Sequence, residues 1–242
     1  PNDIIGIHYK KHGTSAVFAN IPTKRPLKWY EKLLKKIGIN IVDTHYDLVW
    51  ASRRVVKNAF ADKQAAHYYD LDVWGLIADK YKDSIQEGIT LHGEIVNQLP
   101  SGSWIQKHYD YGHNEKEAEL YVYRIFYTNP KGKVFEFNTK QIQQYCLLNN
   151  LKVVPIFYDG LAKDLFPNLN VNEHWNENFL DELIKKYNEK DCYICKNKVP
   201  EEGCVVRIEG LEFEAYKQKS NAFYALETKL LDQGISDIET EN

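Results

Sequence analysis

Methionine is wholly absent from the 242 residues, and residue 1 is proline. The chain is therefore expected to be a processed or trimmed product, or one whose methionines have been left out. Spacings then carry weight within motifs rather than between them. No apolar run approaches the roughly 20 residues needed to span a bilayer, and no basic-then-apolar leader opens the chain. The expectation is an intracellular, cytoplasmic protein with no membrane partner. Gly-x-Gly-x-x-Gly and Walker-type glycine-lysine loops are both missing, so a nucleotide, if bound, must be held by another architecture.

Cysteine is scarce: Cys146, Cys192, Cys195 and Cys204. Cys192-x-x-Cys195 is half of a zinc site or a redox pair, but a second such pair and a nearby histidine pair are lacking. Reduced, structural cysteines are the expectation. What is present is ordinary for a folded protein. Hydrophobic residues make up 43% and charged residues 27%, which excludes a disordered chain and supplies a core for one large domain or two small ones.

A net charge of -3 argues weakly against a nucleic-acid partner, but its distribution argues back. Residues 1–66 hold twelve Lys or Arg against five Asp or Glu, a surplus of seven, so the remainder is strongly acidic. A basic lobe on an acidic body suits a protein that holds phosphates on one face. For Lys28–Lys36, a merely solvated helix face is the competing reading.

The pattern predicts an α+β protein of antiparallel strands with helices between. Ile4–His8 and Ala16–Ile21 read as strands flanking a turn. Trp29–Ile37 has helical spacing, with Leu33, Leu34 and Ile37 on one face. Tyr46–Val56 reads as a strand and Asp72–Ser84 as a helix packing Val73, Leu76, Ile77 and Tyr81. Strands are predicted at Thr90–Asn97, Leu120–Thr128 and Lys133–Phe137, the last two joined by a turn at Asn129-Pro130-Lys131-Gly132. Helices follow at Thr139–Asn149 and Asn178–Asn188, with a buried strand at Val153–Tyr158. Strands at Val205–Ile208 and Glu212–Tyr216 precede a helix from Asn221 and an acidic tail with Asp237, Glu239 and Glu241.

Three charged clusters carry the chemistry. In Lys10-Lys11-His12-Gly13, Lys10 is a candidate nucleophile. An amine attacks phosphorus only when neutral, and a pKa of ~10.4 leaves lysine protonated at pH 7. Neighbouring cations, a metal or desolvation would depress it. Lys217 and Lys219, two apart on a predicted strand, point the same way. They could supply that charge and hold α-phosphate oxygens. His12 could contact a phosphate, and Gly13 permits a tight turn. Glu202, ahead of Gly203 and an apolar strand, could hold a hard cation such as Mg²⁺. Taken singly, a solvated lysine turn and a turn glutamate are the more ordinary readings.

Lys10-x-His12-Gly13, Glu202-Gly203-x-Val205-Val206-Arg207 and Lys217-x-Lys219, in this order, resemble motifs I, IV and V of the covalent nucleotidyltransferases. The histidine in the first motif and the Thr-Ser after it resemble the RNA ligase 2-like, phage-type branch of ATP-dependent RNA ligases. Ser52-Arg53 is similar to the family's arginine region, and Gly93-Glu94-Ile95 to the element whose glutamate contacts ribose. Leu120–Ile125 is similar to motif III, placing Tyr123 where an aromatic ring stacks on adenine. Arg124 stands where the family usually has aspartate, and Tyr9 where an acid is common.

The resemblance implies one adenylyltransferase domain over residues 1–242, with an ATP-grasp-like nucleotidyltransferase fold and an active site in a cleft between antiparallel sheets. It implies ATP and Mg²⁺ (or Mn²⁺) as cofactors, and His12, Gly13, Arg53, Glu94, Tyr123, Glu202, Lys217 and Lys219 around the nucleotide. Lys10, Lys217 and Lys219 would be the catalytic residues and Glu202 the metal ligand. The partner would be RNA with nicked or duplex-held 5′-phosphate and 3′-OH ends, engaged by a monomer, in a host cytoplasm if the protein is phage-encoded. No appended domain is visible after Lys219. Alternatives are a DNA ligase, a capping-type guanylyltransferase, or a nucleic-acid-binding protein with a decayed nucleotidyl site.

Overall fold

Strand alternation decides which side chains face helices and which face the site. A computed structural model describes residues 1–53, 55–58 and 71–232. The chain begins with β1 (Ile4–Lys10), β2 (Thr14–Lys24), α1 (Trp29–Lys36), β3 (Thr44–Ala51), β4 (Val56–Asn58) and α2 (Val73–Tyr81). It continues with β5 (Ile89–Asn97), β6 (Ala118–Thr128), β7 (Val134–Glu136), α3 (Thr139–Leu148), β8 (Lys152–Val153) and β9 (Ile156–Leu161). The described part ends with α4 (Ala162–Leu165), α5 (Trp175–Tyr187), β10 (Gly203–Ile208), β11 (Glu214–Lys219) and α6 (Asn221–Asp232). The acidic tail and part of the basic lobe (Arg54 and Lys63) lie outside the described residues.

Two sheets result. The first has the order β11-β10-β1-β9, antiparallel throughout. The second runs β4-β3-β2-β5-β6-β7, with β8 added parallel to β6. Along β1, Ile5 and Ile7 join Cys204 and Val206 of β10 beneath Trp175, Phe179 and Leu183 of α5. On the second sheet, Phe18, Leu91, Ile95, Leu120 and Ile125 pack against Trp74 and Ile77 of α2 and Ile142 of α3. Because side chains alternate across a strand, the intervening residues of both sheets face the cleft. A third cluster, including Tyr9, Tyr109, Tyr111, Cys192 and Phe223, packs beside the β1–β2 turn.

The mixed antiparallel pattern matches the sequence reading, with three local differences. The strand predicted at Tyr46–Val56 is broken at Ser52, whose N–H donates to the Val55 carbonyl at 2.9 Å while its hydroxyl accepts from Val55 N–H at 3.2 Å. The predicted Val153–Tyr158 strand is split between sheets, because Pro155 has no N–H to continue a ladder. Its carbonyl accepts from Tyr9 N–H at 2.8 Å. Helix α1 forms as predicted but buries none of its residues. Elsewhere, Asp72 caps α2 by accepting from Gly75 N–H, and Asn138 and Gln141 form a capping box on α3.

Candidate active site

A cavity of about 280 Å³ opens between the sheets. His8, Lys10, Val205, Arg207 and Lys217 line it from the first sheet, and Ser15, His92, Glu94, Tyr123 and Arg124 from the second. Strand register explains the first set. Lys10 pairs with Gly203, which pairs with Lys219, and His8 pairs with Val205, which pairs with Lys217. Lys10, Lys217 and Lys219 thus project from one face, two strands apart, with a glycine between Lys10 and Lys219. Gly203 has φ +136°, and a Cβ there would run into the Gln218 carbonyl oxygen. A side chain is therefore excluded at that point for two independent reasons.

Lys10 Nζ lies 2.5 Å from Glu202 Oε1, with the side chains 10% and 1% exposed. The other Glu202 oxygen is 3.8 Å from His12 Nδ1 and has no hydrogen-bond partner among the described residues. A carboxylate buried with one oxygen unsatisfied has room for a cation as well as for Lys10, so Glu202 fits the metal-ligand role. His12 is wedged edge-on between Tyr109 and Phe223, with ring centroids 4.9 and 4.8 Å away. Its backbone N–H donates to the Tyr111 hydroxyl at 2.5 Å. Gly13 lies so close to β5 that a Cβ would meet the Ile95 carbonyl oxygen. Lys11 turns away from Glu202, its Nζ 3.8 and 3.9 Å from the ring centroids of Tyr111 and Tyr121. Burial pulls its pKa down to about 8, yet two rings cover its amine.

Glu94 is buried in the cavity wall, opposite Ser15 of β2. The β5–β6 ladder shifts register, His92 pairing with Arg124 and Gly93 with Val122. Tyr123 is the extra residue of this β-bulge, which re-aims the strand's side chains. Both Tyr123 and Arg124 line the cavity as a result. Lys217 also lines it, whereas Lys219 is ion-paired with Glu227 of α6 at 2.7 Å. Arg53 sits exposed in the β3–β4 turn, outside the cavity lining.

Several cavity residues carried no signal recognised in the sequence. His8 and His92 each lie two residues before an assigned site residue (Lys10, Glu94), so alternation alone could have found them. Burial, reinforced by Arg207 for His8 and by Arg124 for His92, pushes both pKa values down to about 4. Both imidazoles are therefore neutral at pH 7. The arginines are held in turn: Arg124 makes a two-pronged contact with Glu136 at 3.0 Å and lies 3.8 Å from the Phe213 ring centroid. Arg207 reaches Glu136 and Glu209, each at 3.4 Å, and His8 Nε2 hydrogen-bonds Thr139 Oγ1 at 2.9 Å.

Away from the cavity, His113, Glu117 and Glu119 could together face a metal ion. Lys80, Lys152 and Tyr81 already contact the Glu119 carboxylate, so its charge is compensated without one. All four cysteines are free, and no three-donor group among the described residues includes Cys192 and Cys195. Among those residues, no helix is long and apolar enough to cross a membrane.

No protein-family model matches the chain, and no curated protein sequence matches it. Solved structures do. A Naegleria gruberi RNA ligase with PPi is similar at a TM-score of 0.55 and 16% identity, over 94% of this chain and 52% of that one. A variant of that ligase with ATP and Mn gives 0.54 and 16%, with the same coverage. Another variant without ligand gives 0.54 and 17%, again over 94% and 52%. The chain thus spans about half the length of the ligase it matches. At this identity the likeness establishes architecture alone: the chain shares the α+β fold of that RNA ligase.

Proposed function

We propose that this chain is an ATP-dependent RNA ligase of the RNA ligase 2-like type, or the adenylyltransferase part of one. The observation that carries the reading is the buried Lys10–Glu202 pair at 2.5 Å in a cavity that also gathers Glu94, Tyr123 and Lys217. A lysine with no chemical role is seldom buried against one carboxylate in a cleft that also gathers other ionisable side chains. In this reading the Lys10 amine, once deprotonated, forms a bond to the α-phosphorus of ATP as the bond to pyrophosphate breaks. A terminal 5′-phosphate oxygen of RNA then takes the adenylyl group, regenerating the amine. The RNA 3′-OH finally attacks the 5′-phosphorus, closing the phosphodiester and releasing AMP.

The residues divide these tasks by position. Tyr123, which lines the cavity, would offer its ring to the adenine, and Glu94, also in the lining, would contact the ribose. Lys217 and Lys219 offset charge on the α-phosphate. Glu202 would hold Mg²⁺ or Mn²⁺, which supplies charge neutralisation at phosphate oxygens. Arg53 would act from outside the cavity, toward the outgoing phosphates or the RNA.

Incubation with α-labelled ATP or GTP and Mg²⁺, followed by denaturing electrophoresis, tests the reading. Label from ATP, lost in Lys10→Ala but kept in Lys11→Ala, supports it. Label from GTP alone would point to a capping-type enzyme, and no label from either in a folded sample to a decayed site. Sealing of nicked RNA against nicked DNA then separates an RNA ligase from a DNA ligase.

A further inference from the structure

Strand β2 outruns its sheet. It pairs with β5 only over Thr14–Ala19 but with β3 over Val17–Lys24, so residues beyond 20 form a two-stranded ribbon with α1 at its tip. Helix α1 has eight residues, none of them buried. A short helix and a two-stranded ribbon are each marginal alone, so this arm contributes little to the core. Its composition is one-sided. Residues 21–43 carry six Lys or Arg and two acids, in a chain whose net charge is -3. Both acids are engaged internally, Glu31 by Arg25 at 2.6 and 2.9 Å and Asp43 by Lys35 at 2.6 Å. Lys28, Lys32 and Lys36 join no ion pair among the described residues. Beside them Trp29 is 78% and Tyr30 43% exposed.

We infer that this arm holds RNA: Lys28, Lys32 and Lys36 contact phosphates of the strand flanking the reacting ends, while Trp29 and Tyr30 stack on its bases. Lysines outside ion pairs, interleaved with exposed aromatic rings (Lys28 Nζ lies 5.8 Å from the Tyr30 ring centroid), are the chemistry of single-strand recognition, phosphates for charge and base faces for stacking. Location favours a polynucleotide over an anionic membrane. Ser15, at the start of β2, lines the cavity, and the same strand reaches the arm at Lys24, roughly 30 Å on at about 3.3 Å per residue. A chain whose ends occupy the cavity passes along this strand; a lipid surface has no such register with the cavity. The inference rests on the proposed action on RNA and adds a surface outside the nucleotide site.

The test uses the whole chain and a fluorescent nicked RNA duplex with single-stranded extensions, followed by anisotropy across a salt series. Lys28→Gln/Lys32→Gln/Lys36→Gln should bind at least tenfold more weakly, with the slope of log affinity against log salt shallower by roughly 2–3. Trp29→Ala/Tyr30→Ala should lose affinity by about five- to tenfold with the slope unchanged. Self-adenylylation should stay within twofold of wild type in both, since α1 contributes nothing to the cavity lining. Unchanged RNA affinity and slope in both variants would overturn the inference. So would variants that bind RNA normally but lose binding to phosphatidylserine vesicles, which would make the arm a membrane element. Failure of the wild-type chain to self-adenylylate would count against the proposed reaction alone, because anisotropy reads the arm directly.

Discussion

The Lys10–Glu202 pair permits a prediction that separates chemistry from stability. Its side chains are 10% and 1% exposed at 2.5 Å, which places it among buried ion pairs, where removing one partner strands the other charge. Such a loss costs about 3–5 kcal/mol. Replacing both partners with neutral groups of similar shape is close to neutral. For 242 residues, each kcal/mol moves Tm by about 2 °C. Lys10→Met and Glu202→Gln should therefore each melt roughly 6–10 °C below wild type, and the double variant only about 2–4 °C below. Labelling should behave differently. Lys10→Met and the double variant should form no adduct, and Glu202→Gln should lose at least about 10²-fold in rate, equivalent to roughly 3 kcal/mol. Thermal melts and quench-flow labelling on the four proteins read both axes. If the two single variants lower Tm additively, with a coupling below about 1 kcal/mol, the buried pair is not what holds Lys10 in place.

Three further outcomes follow from residues in and beside the cavity. His8, pushed down to about 4 from its usual 6.5, gains a proton on unfolding anywhere between those values. Its contribution is full above pH 6.5 and lost as pH falls through 4. Glu201, pushed up to about 7 by burial, runs the opposite way, so comparison with His8→Gln is needed to isolate the imidazole. Between pH 7 and 4, wild type should lose on the order of 3 kcal/mol more than that variant; parallel melting curves would refute the assignment. Releasing Lys219 with Glu227→Gln removes a partly buried contact, its side chains 23% and 18% exposed, worth about 1 kcal/mol. The KM for ATP in self-adenylylation should fall about two- to fivefold, and Lys219→Ala should abolish labelling; an unchanged KM would mean Glu227 does not compete with phosphate. Tyr123→Ala should raise that KM by roughly 5- to 150-fold, the range expected for losing one stacked base at 1–3 kcal/mol, whereas Tyr123→Phe should leave it near wild type.

Much of the site was legible through motif resemblance, and strand parity explains why motif residues two apart share a face. His8 and Lys10, Val205 and Arg207, and Lys217 and Lys219 lie on three neighbouring strands, where a spacing of two puts each pair on one face; Glu202 sits just ahead of its strand and is outside that parity. What joined two segments nearly two hundred residues apart before any fold was in view was their resemblance, in this order, to the family's motifs; parity added only that Lys217 and Lys219 share a face. The remaining parts depend on contacts between sheets, which parity does not encode. Glu136 is reached by Arg124 from one sheet and Arg207 from the other, and Phe213, near the tip of the β10–β11 hairpin, lies over Arg124. Glu227 meets Lys219 only because α6 folds back beside β11. None of these partners has a sequence spacing that marks it. Arg53 illustrates the converse: a dipeptide resemblance located a turn, yet the residue stands outside the cavity.

The bulge at Tyr123 lies between these cases, and it shows what closer attention to parity gives. On β6 the core residues are Leu120, Val122 and Ile125; the first interval is two and the second is three. A regular strand would keep Leu120, Val122 and Arg124 on one face, burying an arginine among Trp74, Ile77 and Ile142. One extra residue removes that conflict by restoring Ile125 to the core and leaving two successive side chains, Tyr123 and Arg124, on the cavity side. The slip in apolar period, with a charge falling at the forbidden position, is therefore itself a sequence signal for the bulge. It also accounts for the departure from the family pattern at Arg124. The position faces the cleft and carries a charge that Glu136 and the Phe213 ring receive. In the proposed reading the adenine ring's neighbours should accordingly differ at that edge, while at the other end Lys10 is fixed by its pairing with Gly203 at the close of the β1–β10 ladder, one residue from Glu202.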